Sequence, residues 1–336
     1  MSTRLLTSEE VEGLIGPADL FTVLEEVHRG IAVGRVLQPV PDALAAEDGD
    51  PHTQPAAIPM LACDLGSGDV VVKVLADAPG NRSLGLPAQR SSIQLIDFAT
   101  GECRGVVDGR ALTRLRTAAT TAVATRALAR CDSRTLALLG AGALAVEHAR
   151  ALCALREYGG PDFEQLVMWS RTRERAQRAA LELRDLGVPV QVVGTAEDAV
   201  ERADVVCTLT PAVEPFVRAE WLRPGTLLAA VGSPPRPFFS EVLPEVFARA
   251  DTIVVDRREL ALRESGNVRG AVAAGVLDPA GLTELGDVLA GPVEIGDSAL
   301  RVFNSVGIAA QDLAAARLVL GLAEESGVGQ TVSLRQ

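Results

Sequence analysis

The segment TLALLGAGALAVEHARALCAL, residues 135–155, decides the fold of this chain. A run of apolar residues ends at Gly140 and Gly142, and a helical pattern begins at once. This order makes bare backbone N–H groups and the positive end of a helix face an anion, as in sites that bind the pyrophosphate of a dinucleotide. Ala145 takes the place of the third glycine of the G-x-G-x-x-G fingerprint, where a small side chain lets helix and strand pack closely. Taken alone, the segment is also compatible with a tight turn between any buried strand and helix.

Strand and helix patterns alternate after this segment. Apolar strands are predicted at 166–169, 188–193, 204–209, 227–231 and 252–256, with helices between them that include a charged one from Arg171 to about Leu186. Alternation with short connections predicts an α/β fold, a Rossmann doubly wound parallel sheet.

The region before residue 110 has a different pattern, that of an α+β region with antiparallel pairing. Thr7-x-x-Glu10 predicts a capping box, and Pro17 with Asp19 starts a second helix that reaches about Gly34. Further elements are predicted as loops with one or two edge strands over 34–66, a strand at 70–75, a hairpin of 92–97 with 104–107, and helices at 112–129 and 311–326. The helix at 311–326 is predicted to be amphipathic and to pack back on the first region.

Composition and charge exclude several classes of function. The 336 residues are 48% hydrophobic and 23% charged, which suits two globular domains with a substantial core. A net charge of -12 argues against nucleic acid or an anionic membrane as a partner. Five cysteines without a C-x-x-C pair and three histidines without H-E-x-x-H spacing favour neither disulfides nor a metal site. No signal peptide or membrane span is apparent, so we expect a cytoplasmic protein.

The residues after the second predicted strand bear on the choice of cofactor. An NAD-specific site would end this strand with an Asp or Glu that binds the ribose 2′-OH. The chain instead continues with Ser170, Arg171, Thr172 and Arg173, which suit a 2′-phosphate. In the alternative interpretation, Ser170 is a helix N-cap and the arginines are solvated. We expect NADP(H) to be favoured over NAD(H).

Two cations lie in apolar surroundings before the glycine-rich turn. Lys73 lies in the strand VVVKVL and Arg116 in the helix LTRLRTAA. A cation in an apolar setting is costly unless it meets an anion. Each could reach the surface or pair with Asp77 or Asp108 inside the fold, but two such cations are better explained by a substrate carboxylate.

The order of these motifs closely resembles the ornithine cyclodeaminase/μ-crystallin family. The resemblance spans nearly the whole chain: VVVKVLADAPGN, LIDFATGECRGVVDG, LTRLRTAATTA, LLGAGALA, VGSPP and FNSVGIAAQDLAAA. It implies a substrate-binding and dimerisation domain (residues 1–115 and 309–336), a Rossmann domain (116–308) and a homodimer. Members include cyclodeaminases, ketimine reductases and amino-acid dehydrogenases.

The resemblance also implies roles for particular residues. Lys73 would lie close to the reacting carbon and Arg116 would hold a carboxylate. The residues implied to line the dinucleotide are Thr117, Gly140, Gly142, Ala143, Leu144, Thr210, Val231 and Ser305.

Several positions depart from the family pattern. Pro234 follows the Val-Gly turn where cyclodeaminases carry an aspartate, and a second substrate arginine near Pro39 is not evident, although Arg35 is close. Asn304 stands where many relatives have lysine, and Asn267 where an acid is common. These departures favour an altered pocket and a different substrate.

We therefore predict an NAD(P)-dependent oxidoreductase that acts at the α-carbon of an amino acid or its ketimine. A small substrate with a carboxylate is expected, with Lys73 polarising the site or moving a proton. The alternatives are a cyclodeaminase, an enzyme that makes an unusual amino acid, and a protein that binds the cofactor without catalysis.

Overall fold

The computed structural model describes residues 2–45, 54–234, 236–291 and 299–334. The chain divides into two compact units: unit 1 consists of Met1–Thr117 and Ile308–Gln336, and unit 2 of Ala118–Gly307. The functions assigned above to residues 1–115 with 309–336 and to 116–308 remain predictions.

The first part of the chain supplies most of unit 1. Its elements are β1 (Thr3–Leu6), α1 (Ser8–Leu14), α2 (Phe21–Ala32), β2 (Val36–Leu37), β3 (Leu44–Ala45), β4 (Ala56–Asp64), β5 (Asp69–Asp77), β6 (Gln89–Asp97), β7 (Cys103–Asp108) and α3 (Gly109–Leu128), whose last residues belong to unit 2.

Unit 2 follows, and the chain then returns to unit 1. The elements of unit 2 are β8 (Thr135–Leu139), α4 (Ala143–Cys153), β9 (Gln165–Trp169), α5 (Arg173–Glu182), β10 (Val190–Val192), α6 (Ala196–Glu201), β11 (Val205–Thr208), β12 (Leu227–Ala230), α7 (Pro244–Arg249), β13 (Thr252–Val255), α8 (Arg258–Glu264), α9 (Gly266–Ala273), β14 (Leu282–Glu284), α10 (Leu285–Ala290) and β15 (Arg301–Asn304). Unit 1 is completed by α11 (Ala309–Ser326) and β16 (Gln330–Val332).

Unit 1 is a sheet with the order β16-β1-β7-β6-β5-β4-β2, and β3 also pairs with β4. Its pairs are antiparallel except β1 with β7. Helix α11 packs against β4, β5 and β6 and contacts α2. Because side chains alternate between the two faces of a strand, β5 buries Val71, Lys73 and Leu75 on one face and exposes Val74 and Ala76 on the other.

The capping box and the hairpin predicted for unit 1 are confirmed. The prediction of loops and edge strands over 34–66 is wrong for β4, which pairs with β5 on one side and with β2 and β3 on the other; residues 46–53 of that stretch lie outside the described residues. The predicted amphipathic character of α11 is also wrong for its first half, because residues 309–316 are all buried.

Unit 2 confirms the predicted doubly wound α/β fold. Its sheet has the order β10-β9-β8-β11-β12-β15-β13-β14, with all pairs parallel. The chain runs from β8 through β9 to β10 on one side and then places β11 on the other side of β8. The strand order therefore reverses at β8, and ligands of such sheets bind in the crevice at the carboxyl ends of the strands beside this point.

Among the helices that the structure describes, none combines the length and the apolar character needed to cross a bilayer.

Candidate active site

The turn after β8 has the geometry that a dinucleotide requires. Gly140 has φ +132°, a conformation that residues with a side chain rarely adopt. A Cβ on Gly140 would lie 2.7 Å from the carbonyl oxygen of Leu209, at the end of the neighbouring strand. Glycine is therefore required here for two separate reasons, its backbone conformation and the close approach of the next strand.

Gly142 is the N-cap of α4 and is exposed. Its Cβ position meets no atom within 4 Å, no side chain caps the first turn of α4, and that turn carries no acidic residue. Ala143 is exposed, Leu144 is half-buried, and Ala145 is buried against the strand, as the fingerprint requires. The open, uncapped helix N-terminus fits the pyrophosphate of a nicotinamide dinucleotide.

The other predicted cofactor residues of unit 2 lie at the same edge of its sheet, because each follows the carboxyl end of a parallel strand. Ser170, Arg171 and Thr172 follow β9, and Arg171 and Thr172 are exposed. The Ser170 hydroxyl accepts a hydrogen bond from the Thr172 amide at 3.3 Å. The alternative interpretation is wrong in one respect, because the N-cap of α5 is Thr172 and not Ser170. The phosphate site remains a prediction.

Thr210, Val231 and Ser305 follow β11, β12 and β15. Ser305 is buried, and its hydroxyl donates to Oδ2 of Asp256 at 2.7 Å. The same oxygen accepts from the amides of Val306 and Gly307 at 2.9 Å. Asp256 therefore fixes the loop after β15, and the hydroxyl of Ser305 is already committed to it.

Glu241 is a residue that the sequence analysis missed at this edge. It is fully buried, and its Oε1 accepts from the amide of Thr210 at 2.6 Å and from its hydroxyl at 2.7 Å. Its Oε2 accepts from the Thr208 hydroxyl at 2.7 Å and from the Gly232 amide at 3.0 Å. One carboxyl group thus joins the segments after β11 and β12. Burial raises the pKa of Glu241 to about 7, against the lowering effect of these hydrogen bonds.

Asn267 and Asn304 are buried in unit 2 and bonded to each other. The Asn267 amide nitrogen donates to Oδ1 of Asn304 at 3.0 Å, and Asn304 donates to the Ser265 hydroxyl at 3.0 Å. Oδ1 of Asn267 accepts from the backbone amides of Glu241 and Val242 at 2.8 and 3.1 Å. These two departures from the family pattern are therefore parts of one internal network that supports the Glu241 segment.

Lys73 and Arg116 meet at a single carboxylate in unit 1. Nζ of Lys73 lies 3.0 Å and Nε of Arg116 lies 3.2 Å from Oδ1 of Asp312, in the first turn and a half of α11. Lys73 and Asp312 are 0% exposed, and Arg116 is 4% exposed. The three charged groups form a buried cluster with two positive charges and one negative charge.

Neutral groups complete the surroundings of this cluster. Lys73 also donates to the Thr113 hydroxyl at 2.8 Å, and Nη1 of Arg116 donates to Oε1 of Gln311 at 2.7 Å. Thr117, next to Arg116 on α3, donates its hydroxyl to the carbonyl oxygen of Thr113 at 2.6 Å. Burial lowers the pKa of Lys73 to about 8; Asp312 opposes this effect and Arg116 adds to it.

The carboxylate that these two cations share is Asp312, whereas the carboxylates considered from the sequence were Asp77 and Asp108. Asp108 instead accepts from the Ser8 hydroxyl at 2.9 Å. Asp312 is 239 residues from Lys73 in the chain. Asp312 could have been found as an acid beside the buried alanines of α11. Such an acid would be buried without a counter-ion unless a cation distant in sequence met it. Arg35, the nearest candidate for a second substrate arginine, is paired with Asp64 at 3.3 Å.

Across the described ranges, no group of three or more His, Cys, Asp or Glu side chains is arranged to hold a metal ion.

Known proteins share the sequence pattern and the fold of this chain. The model of the ornithine cyclodeaminase/mu-crystallin family matches residues 1–327. The chain belongs to this family. A Delta(1)-pyrroline-2-carboxylate reductase of Bacillus cereus is 33% identical over 285 residues, which are 84% of this chain and 86% of that protein. The ketimine reductase mu-crystallin of Mus musculus is 35% identical over 261 residues, 77% of this chain and 78% of the mouse protein.

One solved structure has the same fold as this chain. It is the Delta(1)-pyrroline-2-carboxylate reductase of Thermococcus litoralis in complex with NADH and L-proline, with a TM-score of 0.91 and 29% identity, covering 98% of this chain and all of that one. The predicted family is confirmed, as is an NAD(P)-dependent oxidoreductase acting on a carbon–nitrogen bond. The preference for NADP(H) and the individual site residues remain predictions.

Proposed function

We propose that this protein reduces the C=N bond of a small 2-imino carboxylic acid with NAD(P)H and so forms the corresponding amino acid. The observation that carries this proposal is the cluster of Lys73, Arg116 and Asp312. It brings a lysine ammonium and an arginine guanidinium together at one buried carboxylate oxygen, and paired donors of this kind suit the carboxylate of a substrate.

A substrate carboxylate is the anion that suits this position. The guanidinium of Arg116 offers a planar fork of donors that matches a carboxylate. Nε and Nη1 of Arg116 are held by Asp312 and Gln311, so its plane is fixed before a substrate arrives. We assign carboxylate binding to Arg116, with the ammonium of Lys73 beside it.

Lys73 is suited to moving a proton. When bound, the reduced nicotinamide supplies a hydride to the imine carbon, while the C=N electron pair passes to nitrogen and a proton completes the amine. An ammonium whose pKa is about 8 can give up a proton near neutral pH far more readily than an exposed lysine. Asp312 and Thr113 hold its nitrogen in place during the transfer.

The proposed substrate class agrees with the relatives, which are named as reductases of a cyclic imino acid and of ketimines. The direct test is to incubate the protein with NADPH and a panel of cyclic and acyclic 2-imino acids and to follow the nicotinamide absorbance. Oxidation of one equivalent of NADPH for each amine formed supports the proposal. Nucleotide binding without turnover across the panel would favour the non-catalytic alternative.

Cyclodeamination is the second candidate, and Pro234 argues against it. A proline at this position supplies no carboxylate to assist the loss of ammonia. Cyclodeamination would consume ornithine or lysine without a net change in nicotinamide absorbance. Mass spectrometry of such incubations therefore separates the two activities.

We further propose that NADP(H) is preferred over NAD(H). The support is the segment after β9, where half-buried Ser170 is followed by exposed Arg171 and Thr172 and no carboxylate is present. Replacing Arg171 with Asp should weaken NADPH binding about tenfold or more and spare NADH, because a charge-assisted hydrogen bond would become a repulsion. Equal effects on both cofactors would contradict this preference.

A homodimer is also proposed, through the outer face of the unit 1 sheet. Leu61 on β4 is 42% exposed and Val74 on β5 is 44% exposed, and both point away from α11. Pro59 lies opposite Val74 in the register and is exposed as well. An open apolar face of this kind is typical of a protein interface.

A further inference from the structure

The two oxygens of Asp312 are used unequally. Both cations, Lys73 and Arg116, bond to Oδ1. Oδ2 is buried and has no hydrogen-bond partner among the described residues. A carboxylate that served only to neutralise two cations would gain more by offering each of them its own oxygen, because buried oxygens are normally hydrogen-bonded.

The surroundings of Asp312 hold this arrangement in place. Its helix position is fixed by the burial of residues 309–316, and its neighbour Gln311 is bonded to Arg116. The Thr113 hydroxyl accepts a second hydrogen bond from Lys73, so the ammonium is held from two sides. A carboxylate oxygen without a hydrogen-bond partner among the described residues thus lies beside the two cations of the proposed carboxylate site.

We propose that Oδ2 of Asp312 accepts a hydrogen bond from the nitrogen of the substrate, while Oδ1 holds Lys73 and Arg116. This inference rests on the proposed function and adds the group that recognises the nitrogen. In a 2-imino acid the nitrogen is attached to the carbon next to the carboxylate, so an anion beside the carboxylate-binding cations is placed to meet it.

The chemistry explains why an acceptor is useful there. A protonated imine carries an N–H and a positive charge, and its carbon accepts a hydride more readily than that of the neutral imine. A carboxylate oxygen stabilises this protonated form. The carbonyl oxygen of a 2-oxo acid has no proton to donate and would face Oδ2 as a second acceptor, so Asp312 also selects imines over oxo acids.

The test compares ligands that differ only at the nitrogen. Binding of L-proline and of cyclopentanecarboxylate is measured by titration calorimetry in the presence of NADPH, with which neither can react. Piperidine-2-carboxylate and cyclohexanecarboxylate form a second pair. We expect the wild type to prefer the nitrogen-containing member of a pair about tenfold or more, as a charge-assisted hydrogen bond provides.

Asp312→Asn should abolish this preference while leaving carboxylate binding as strong as before or stronger, because the cluster becomes more positive. Asp69→Asn is the matched control, because Asp69 is also buried on β5 and pairs with Arg104. In this variant the ratio of affinities for the two ligands of a pair should stay at the wild-type value. If Asp312 only neutralises the cations, the substitution will change both ligands of a pair equally, and that result would overturn the inference.

The remaining outcomes are also distinguishable. If Asp312→Asn does not fold, the ratio of affinities for the two ligands of a pair is measured in Asp312→Glu, which keeps an anion for the cations but displaces the second oxygen. An unchanged ratio in that variant also overturns the inference. If the wild type binds no member of either pair and reduces no imine, the proposed function fails. If the wild type reduces imines but binds both ligands of a pair equally well, only the role of Asp312 is rejected and the proposed function stands.

Discussion

The side chain of Asn267 donates to Oδ1 of Asn304 across 3.0 Å in the interior of unit 2. In the family pattern that this sequence resembles, these positions commonly hold an acid and a lysine. Because the two residues contact each other, the two departures from the family pattern are linked inside unit 2.

This pairing predicts coupled effects on stability. Asn304→Lys alone should destabilise the protein by about 3 kcal/mol or more, because it buries an ammonium without a counter-ion. In the double variant with Asn267→Glu the loss should be clearly smaller than the sum of the two single losses. Urea unfolding of the wild type, both single variants and the double variant measures this coupling. Additive losses would show that the two positions act independently.

Lys73→Met should lower turnover in imine reduction at least a hundredfold and leave NADPH affinity unchanged. The reason is that Lys73 belongs to the charged cluster of unit 1, whereas the glycine turn belongs to unit 2. Arg114→Met on the same helix as Arg116 is the control, because Arg114 pairs with Glu12 at the surface. Steady-state rates and fluorescence titration with NADPH provide the two readouts. Turnover preserved in Lys73→Met would remove this lysine from the mechanism.

The rate of reduction should fall as the pH rises through about 8. Burial lowers the pKa of Lys73 to about 8, so the protonated form that binds the carboxylate and gives up a proton is lost above that value. In Lys73→Arg the remaining rate should be low and should lack this decline, because a guanidinium stays protonated and does not give up its proton readily. The measurement is kcat/KM between pH 6 and 10 with a substrate that does not titrate there. An identical decline in both proteins would assign it to another group.

Glu241 should make the protein less stable as the pH rises. Its pKa is raised from 4.5 to about 7 by burial, so its favourable contribution is complete below pH 4.5 and is lost as the pH rises through 7. This loss amounts to about 3 kcal/mol. The difference in unfolding free energy between wild type and Glu241→Gln, measured from pH 5 to 8, should follow this trend. A difference that does not change with pH would mean that Glu241 is not neutral in the folded state.

The proposed dimer predicts that Val74→Lys with Leu61→Lys yields a monomer in size-exclusion chromatography with light scattering. Both side chains are on the exposed face of the sheet, so the fold should survive while a charged face resists burial. Arg104→Ala on β7 of the same sheet is a control for non-specific effects, since Arg104 pairs with Asp69 and Asp97. An unchanged molecular mass would exclude this face as the interface.

The fold of unit 2 could be predicted because its signals are local. Buried parallel strands, short connections and the turn at Gly140 each involve a few neighbouring residues. Strand β4 could not be predicted from alternation, since Leu61 on its outer face is as apolar as Met60 and Ala62 on its inner face. A strand that is apolar on both faces shows no period of two.

The candidate site was predictable only in part. Lys73 and Arg116 are conspicuous because charges within apolar segments are rare. Asp312 and Glu241 were missed because their partners are distant in sequence or are backbone groups, and neither kind of contact leaves a spacing pattern. The carboxylates considered from the sequence were those nearest in the chain, whereas a sheet covered by a returning helix brings the ends of the chain together.

The contact between Lys73 and Asp312 also limits when the charge cluster can form during synthesis on the ribosome. Residues 118–307 are contiguous and can fold as soon as they emerge from the exit tunnel, but the two cations must wait for a carboxylate translated 239 residues after Lys73. A nascent chain in which only unit 2 has folded therefore lacks the charge cluster of unit 1. The cluster can form only late in synthesis, when α11 packs against β4, β5 and β6.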